Sequence, residues 1–236
     1  ASQTNTTGRS QLKNEKQGRM ASLMHAAKDY RGWILFGAYA ACFGIEIFIH
    51  NIVAMYYVEN FDFGLKEAGM AAGIFGLLAL FARALGGIVS DRVALSKGLD
   101  GRTKVLFLMI LLEGVFLVVF SQMNSAMLAI LTMTVFALFT HMACGATYAL
   151  VPFIDRDALG GVAGIIGAGG NVGAVAAGFL LKGMLDIQTT LMVLGGLVVI
   201  AASCVLMIRF SVEHKEKEQR LFEQAIQDRN LAEAQN

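Results

Sequence analysis

The sequence predicts an all-α membrane protein built as a bundle of six transmembrane helices. Hydrophobic residues make up 56% of the 236 residues and charged residues only 16%, whereas soluble domains carry about 25% charged residues. The apolar residues gather into six runs, each near the roughly 20 residues that a helix needs to cross the hydrocarbon core. Nearly all of the charges lie between or outside these runs. The charges therefore mark the loops and tails of a multi-pass membrane protein.

The order of polar and apolar segments divides the chain into three parts. Residues 1–31 are expected to form a linker arm, residues 32–210 the transmembrane bundle, and residues 211–236 a charged helical tail. A basic loop is expected from Asp91 to Lys104, between the second and third spans. The six spans are predicted at 32–58, 67–90, 105–120, 126–153, 159–181 and 190–208.

The distribution of lysine and arginine predicts that both termini are cytoplasmic. The arm, the basic loop, the loop after the fourth span and the tail hold sixteen of the 19 lysine and arginine residues. These four segments would share one side of the membrane, and the loops on the other side hold only Lys66 and Lys182. Because an excess of lysine and arginine marks the cytoplasmic side, the basic segments are placed there.

Arg83 is a cation inside an apolar span. Counted back from Asp91 at 1.5 Å per residue, it lies about 12 Å inside the membrane boundary. A charged side chain at that depth is costly unless a partner or a ligand compensates it, and such residues commonly serve a function. The alternative is a side chain that reaches out to the lipid headgroups. We favour a buried arginine that faces a polar cavity.

Three residues of the first span lie on one helix face and could join Arg83. Tyr39, Phe43 and Glu46 are spaced i, i+4 and i+7, and Tyr39 lies at about the depth of Arg83. A guanidinium fork, a hydroxyl and an aromatic face could together bind a small planar anion. Alternatively, the two rings only pack against neighbouring helices. Glu46 would either neutralise Arg83 or exchange protons.

Glycines of the fifth span are predicted to form a helix-packing surface, because small residues four apart let two helix backbones approach closely. The amide of Asn171, beside Gly170, lies in mid-membrane and must find a partner, which would be another helix or the substrate. The glycines that define the surface are Gly160, Gly164, Gly167, Gly169 and Gly173.

The remaining polar and sulfur-containing residues suggest no bond chemistry. His141 lies about 21 Å from Asp155 along the fourth span, where a histidine serves packing, an ion pair or proton transfer. The three cysteines fall inside apolar runs, so we expect small buried side chains rather than disulfides. The pattern contains no catalytic constellation and no metal-ligand spacing, and it predicts no enzyme, no metal and no cofactor. A net charge of +1 gives no basic surface for nucleic acid.

Two sets of residues resemble a known family. Gly87-Ile-Val-Ser-Asp91-Arg92, followed by Gly101-Arg102-Thr-Lys104, is similar to the cytoplasmic-loop motif of the major facilitator superfamily, with a longer gap. Gly-Ala-Gly-Gly-Asn-Val-Gly-Ala-Val at 167–175 resembles the nitrate signature of the nitrate/nitrite porters. Ala-Thr-Tyr-Ala-Leu-Val-Pro-Phe at 146–153 also resembles that family, especially its cyanobacterial and plant branch.

The resemblance covers about residues 32–210 and implies the C-terminal half of a twelve-helix transporter, helices seven to twelve. In such porters an arginine from each half holds nitrate, aided by a tyrosine and a phenylalanine of helix seven. Arg83 matches the C-terminal arginine, and Tyr39 with Phe43 matches the aromatic pair. The glycine signature with Gly170 and Asn171 matches the helix that faces the N-terminal half. That half is absent from this chain, so its arginine is absent too.

Two classes of function follow. The first is transport of nitrate or nitrite by rocking of two six-helix halves around a site at the midplane. The second is a membrane subunit that does not transport and that uses its glycine face to bind another membrane protein. Transport of another small anion is a variant of the first. In each case the expected partners are the lipid membrane and a second six-helix half.

Overall fold

The computed structural model describes residues 20–183 and 186–234 and contains helices but no strand over those ranges. The predicted all-α membrane fold is therefore confirmed, while most of the predicted linker arm, residues 1–19, lies outside the described residues. The helices are α1 (Tyr30–Tyr39), a π-helical turn (Ala40–Gly44), α2 (Ile45–Phe61), α3 (Leu65–Ser121), α4 (Ala126–Tyr148), a 3-10 turn (Val151–Phe153), α5 (Leu159–Gly183), α6 (Ile187–Val205) and α7 (Val212–Ala234).

The first membrane span is one continuous path through α1, the π-helical turn and α2, 32 residues in all. It begins at Asp29, whose carboxylate accepts a hydrogen bond from the backbone nitrogen of Arg31 at 2.8 Å. Burial raises the pKa of Asp29, but hydrogen bonds from the side chain and backbone of Arg31 outweigh it, so the pKa lies below its usual value. The span ends at Asp62, which caps the helix in the left-handed conformation with φ 54°.

The helix α3 provides two spans because it bends at Gly98. Its 57 residues would extend about 86 Å, well over twice the hydrocarbon thickness. Gly98 has φ 58° and ψ −147°, a conformation that only glycine adopts without strain. We call the segments before and after it α3a (65–97) and α3b (99–121). The described residues thus contain five membrane-length helices, one of which crosses twice.

The loop predicted from Asp91 to Lys104 is wrong, since the backbone is helical on both sides of Gly98. The charged residues there do not interrupt the helix because the segment contains no proline. Instead, the guanidinium of Arg102 in α3b pairs with the carboxylate of Asp91 in α3a. The ion pair ties the two segments together at the bend.

Glycines allow neighbouring spans to touch backbone to backbone. A Cβ at Gly114 of α3b would lie 2.8 Å from the carbonyl oxygen of Gly195 in α6. A Cβ at Gly86 of α3a would lie 2.1 Å from the carbonyl oxygen of Met142 in α4, and the carbonyl of Arg83 abuts Gly145 in the same way. Such close approach is a main source of attraction between helices in a membrane, where lipid is as apolar as the side chains.

The charged tail helix α7 packs onto the end of the bundle that carries the basic segments, which we call the basic end. Lys215 donates to Asp100 at 2.6 Å, and Arg156 donates through Nε to Glu218 at 2.9 Å. The tail is helical, as predicted, but it is not solvated all round because Glu218 is only 7% exposed. The tail therefore contacts both the bend of α3 and the loop after α4.

Adjacent glycines on α6 test the packing of α3b against α6. In Gly195→Ala the new Cβ would lie 2.6 Å from Cγ2 of Val118, and overpacking of this kind costs about 1–3 kcal/mol. In Gly196→Ala the methyl enters open space, so the higher helix propensity of alanine leaves stability unchanged or raised by up to about 1 kcal/mol. Thermal unfolding of both variants in detergent measures the difference. Equal melting temperatures would contradict the described contact.

Candidate functional site

The centre of the bundle holds an ion pair between Arg83 of α3a and Glu46 of α2. Nη2 of Arg83 lies 2.7 Å from Oε1 and 2.6 Å from Oε2 of Glu46. The Glu46 side chain is 7% exposed and that of Arg83 39% exposed. The carboxylate is therefore sealed inside the bundle, while the guanidinium keeps an open side. Its buried Nε has no hydrogen-bond partner among the described residues.

Glu46 is also the point where three other polar side chains meet. The thiol of Cys144 lies 3.5 Å from Oε2, and Nδ1 of His141 lies 3.3 Å from the same oxygen, within ion-pair distance but without hydrogen-bond geometry. His50, one turn further along α2, lies 4.0 Å from Oε1. The carboxylate thus faces one permanent cation and two histidines.

The protonation of His141 is constrained by its second nitrogen. The ring is fully buried and Nε2 lies 3.0 Å from the carbonyl oxygen of Phe75. A carbonyl only accepts, so Nε2 must carry a hydrogen. In a neutral ring Nδ1 is then a bare acceptor that faces the carboxylate of Glu46. One additional proton, on either Nδ1 or Glu46, converts this contact of two acceptors into a hydrogen bond.

An aromatic wall borders the open side of Arg83. The Cζ atom of Arg83 lies 5.2 Å from the centroid of the Phe43 ring, within the range of a cation–π contact. Phe43 stacks on Tyr39 with centroids 4.9 Å apart and planes 11° apart. Tyr148 of α4 meets Tyr39 edge-on at 5.2 Å. Phe43 belongs to the π-helical turn and Tyr39 directly precedes it, so the two rings share one face across the irregular backbone.

The glycine stretch of α5 has an inner face that fits this wall. A Cβ at Gly170 would lie 2.4 Å from Cδ1 of Phe43 and 3.1 Å from the ring of Tyr39. A Cβ at Gly169 or at Gly173 would likewise lie 2.3 Å from a backbone carbonyl oxygen of the first span. Only glycine permits α5 to lie this near the rings.

The other face of the stretch points away from the cluster. No atom lies within 4 Å of a Cβ built at Gly160 or Gly164, and at Gly167 the nearest is the hydroxyl of Tyr148 at 3.7 Å. Asn171 is exposed and its amide donates to the carbonyl of Gly167 at 3.3 Å. Contact of this face with a second half, and of Asn171 with substrate, stay predictions.

The structure brings Arg83, Phe43, Glu46 and His141 into one cluster with Tyr39 behind it, while Asn171 lies outside. Sequence reasoning did not assign His50, Cys144 or Tyr148 to the site. His50 follows Glu46 by one helical turn and could have been found from that spacing. The other two come from α4, whose rotation towards the first span is not encoded in the pattern of either helix.

Glu113 of α3b is a second carboxyl group in the core. It is fully buried, and neither of its side-chain oxygens has a hydrogen-bond partner among the described residues. An ionised carboxylate in such surroundings would be very costly. The sequence assigned it no role, and its geometry supplies no contact with the Arg83 guanidinium.

The arrangement is suited to holding an anion rather than to breaking bonds. Its principal features are a partly exposed guanidinium, an aromatic face and a carboxylate that already occupies part of the fork. In the part of the chain that the structure describes, no group of three or more histidine, cysteine or acidic residues could hold a metal ion. A polar cluster at the centre of six membrane spans is typical of a membrane transport protein.

The comparison with known families supports that class. A sequence profile described as Major Facilitator Superfamily matches residues 34–233. The chain belongs to the major facilitator superfamily. The superfamily consists of transporters, which confirms the prediction that the chain is a multi-pass membrane protein and not an enzyme.

The chain is similar to nitrate transporters. It is 41% identical over 182 residues to "High affinity nitrate transporter 2.5" of Arabidopsis thaliana, covering 77% of this chain and 36% of that protein. It is 40% identical to "Nitrate transporter 2.2" of Chlamydomonas reinhardtii (62% and 29%) and 30% identical to "Nitrate/nitrite transporter NrtP" of Nostoc punctiforme (58% and 27%). The chain thus spans about a third of the length of the curated relatives it matches.

A double-mutant cycle measures the ion pair of the cluster. Arg83→Gln should cost more stability than Glu46→Gln, because it leaves a carboxylate buried without its cation whereas Arg83 is partly exposed. The double variant should recover part of the loss, with a coupling of about 1–3 kcal/mol in the unfolding free energy.

The surface pair of Lys215 and Asp100, with side chains 37% and 52% exposed, is the matched control. Its cycle should give a coupling below about 1 kcal/mol. Additive losses at Arg83 and Glu46, measured by the same thermal unfolding, would show that the described ion pair does not form.

Proposed function

We propose that this chain is the C-terminal half of a nitrate/nitrite transporter and that Arg83 binds the anion. The observation that carries the proposal is the position of the guanidinium, which pairs with Glu46 and lies over the Phe43 ring while its side chain stays 39% exposed. The similarity to nitrate transporters at about 40% identity favours this anion over others.

Nitrate and nitrite are flat, singly charged anions whose oxygens accept hydrogen bonds in one plane. A guanidinium offers donors in a plane and can form two parallel bonds with such an ion. Phe43, which lies under the guanidinium and stacks on Tyr39, would hold Arg83 in position for the ion. Gly170 would contribute by letting α5 approach the rings.

The second half of the transporter would contact the open face of α5. Gly160 and Gly164 leave room there for a helix backbone, and the neighbouring apolar side chains Val172, Val175 and Phe179 are 54%, 59% and 69% exposed. Asn171 on the same face is placed to contact that half or the anion. The halves would rock about the central site and expose it to each side in turn.

The same face would serve the alternative, a membrane subunit that does not transport. The polar cluster favours transport, because a purely structural subunit has no need of a half-open arginine in mid-membrane. For the transporter we propose that both termini are cytoplasmic, in the plasma membrane or bacterial inner membrane, since the basic segments share one side.

Replacing the fork by a point charge tests the anion site. In the complete transporter, Arg83→Lys should reduce uptake of labelled nitrate at least tenfold, because lysine cannot form two parallel bonds to a planar ion. Arg156→Lys is the matched control, because Arg156 lies at the basic end and pairs with Glu218. This variant should transport nitrate normally. Uptake by Arg83→Lys at the affinity of the unmodified protein would exclude Arg83 as the anion ligand.

Glu46 makes anion binding depend on pH in this proposal. The carboxylate competes with nitrate for the guanidinium, so the anion binds better once the negative charge is neutralised. Protonation of Glu46 neutralises it directly, and protonation of His141 or His50 gives it another cation to pair with. Each route frees Arg83 and adds one positive charge to the site, and the linkage is reciprocal.

Nitrate affinity should therefore rise as the pH falls in the unmodified transporter. Glu46→Gln removes the competing charge and should make binding at neutral pH at least tenfold tighter, with a flatter pH profile. At an effective dielectric constant near 20, a unit charge 4 Å away is worth about 4 kcal/mol, and the exposure of Arg83 reduces that value.

Glu59→Gln, at the exposed end of α2, is the control and should leave the profile unchanged. Binding is measured by isothermal titration of nitrate into the purified transporter over a range of pH. A steep pH dependence that persists in Glu46→Gln would refute the role of Glu46 as the competing ion, without bearing on Arg83.

A further inference from the structure

A cavity of about 490 Å³ lies at the basic end, between the bend of α3 and the start of α7. Its lining includes no residue of the Arg83 cluster, and it plays no part in the proposed transport site. One part of its wall is apolar and includes Ile88, Leu95, Leu99 and Phe153. The remainder carries cations from α3 and α7 and two carboxylates, Asp91 and Glu218, of which Glu218 is paired with Arg156. The cavity therefore has the two-sided character that an amphiphile requires.

The cations of the cavity are unevenly compensated. Arg102 and Lys215 are each paired with an aspartate, Asp91 and Asp100 respectively. Arg92 and Lys97 also line the cavity, and no carboxylate of the described residues forms an ion pair with either of them. The cavity thus carries two positive charges that an anionic ligand could neutralise.

An exposed apolar stripe leads from the membrane to these cations. Phe81, Leu85 and Ile88 are 69%, 43% and 47% exposed, and with Arg92 they follow the spacing i, i+4, i+7 and i+11 of one helix face. At 100° per residue this face lies about 140–200° around α3a from Arg83. The stripe therefore faces away from the anion cluster.

We propose that the cavity binds an anionic phospholipid of the adjoining membrane leaflet. Arg92 and Lys97 contact the phosphate, and an acyl chain lies along the stripe formed by Ile88, Leu85 and Phe81. Basic pockets between spans are a known way to hold anionic headgroups. The continuity of the apolar stripe with the cationic cavity favours a lipid over a soluble phosphate compound, which has no use for the stripe.

The chain's own N-terminal arm is a poor occupant of this cavity. Residues 1–19 contain Arg9, Lys13, Lys16 and Arg19 against the single acid Glu15. A segment with a positive net charge would be repelled by Arg92 and Lys97. Charge complementarity therefore requires a ligand from outside this arm.

Native mass spectrometry of the full-length protein in neutral detergent tests the proposal with two lipids of equal chain length, phosphatidylglycerol and phosphatidylcholine. Phosphatidylglycerol should bind preferentially. Because each interfacial cation is worth about a factor of five, Arg92→Gln combined with Lys97→Gln should weaken its binding about tenfold to thirtyfold. The control, Lys66→Gln combined with Lys182→Gln, removes two cations from the other loops and should change binding less than twofold.

A second measurement needs no variant. Binding of phosphatidylglycerol to the unmodified protein should fall as salt rises from 0.05 to about 0.5 M, because the cations are exposed and screened. Equal binding of both lipids, no effect of the double variant, or no effect of salt would overturn the proposal. Displacement of phosphatidylglycerol by an equal concentration of glycerol 1-phosphate would also overturn it, since the apolar stripe would then contribute nothing to binding. None of these results depends on which solute is transported.

Discussion

The pairing of Arg83 with Glu46 is the constraint on which the rest of the bundle depends. A guanidinium in mid-membrane needs a counter-charge, and a carboxylate that is 7% exposed needs a cation. Each charge compensates the other, so the pair fixes the position of α2 relative to α3a. The α4 helix completes the pair, since His141 and Cys144 surround the remaining edge of the carboxylate. Three spans are thus tied to one charge cluster.

Glycine is what allows these spans to come near enough. The carbonyl of Arg83 itself lies against Gly145, and the ring of Phe43 lies against Gly170. A methyl group at either position would push a helix away from the cluster and lengthen contacts that are now 2.6–3.5 Å. The glycines therefore act on the site through distance, although none of them carries a functional group. In a membrane this is also the economical way to hold helices together, because packing replaces the hydrophobic effect.

Much of this arrangement could be predicted from the sequence, for definable reasons. Hydrophobic run length predicted the six spans, and the common helix face of Tyr39, Phe43 and Glu46 predicted that these residues could join Arg83. The bend could not be predicted, because a polar segment such as Asp91 to Lys104 can be a loop or an exposed helix. The backbone conformation of Gly98 determines that two helical segments meet there at a bend. The rotation of α4 is likewise set by contacts between helices, so the periodicity of one helix does not place Cys144 or Tyr148. For the same reason, spacing identified the glycines of α5 but not which of them face inwards.

A half-bundle with this cluster is electrically balanced before any anion arrives. The guanidinium already has two short contacts to Glu46, so a ligand gains little charge stabilisation from Arg83 unless the carboxylate is neutralised or a further cation is added. The bare Nδ1 of His141 allows the carboxylate to be neutralised, since one proton can be held between this nitrogen and Glu46. A second half that brings its own cation offers the other route. Both routes raise the net charge at the same point, so a proton and a partner half would each strengthen the hold of Arg83 on an anion. In the proposed transporter, anion capture would therefore be conditional on the charge of Glu46 and not on the arginine alone.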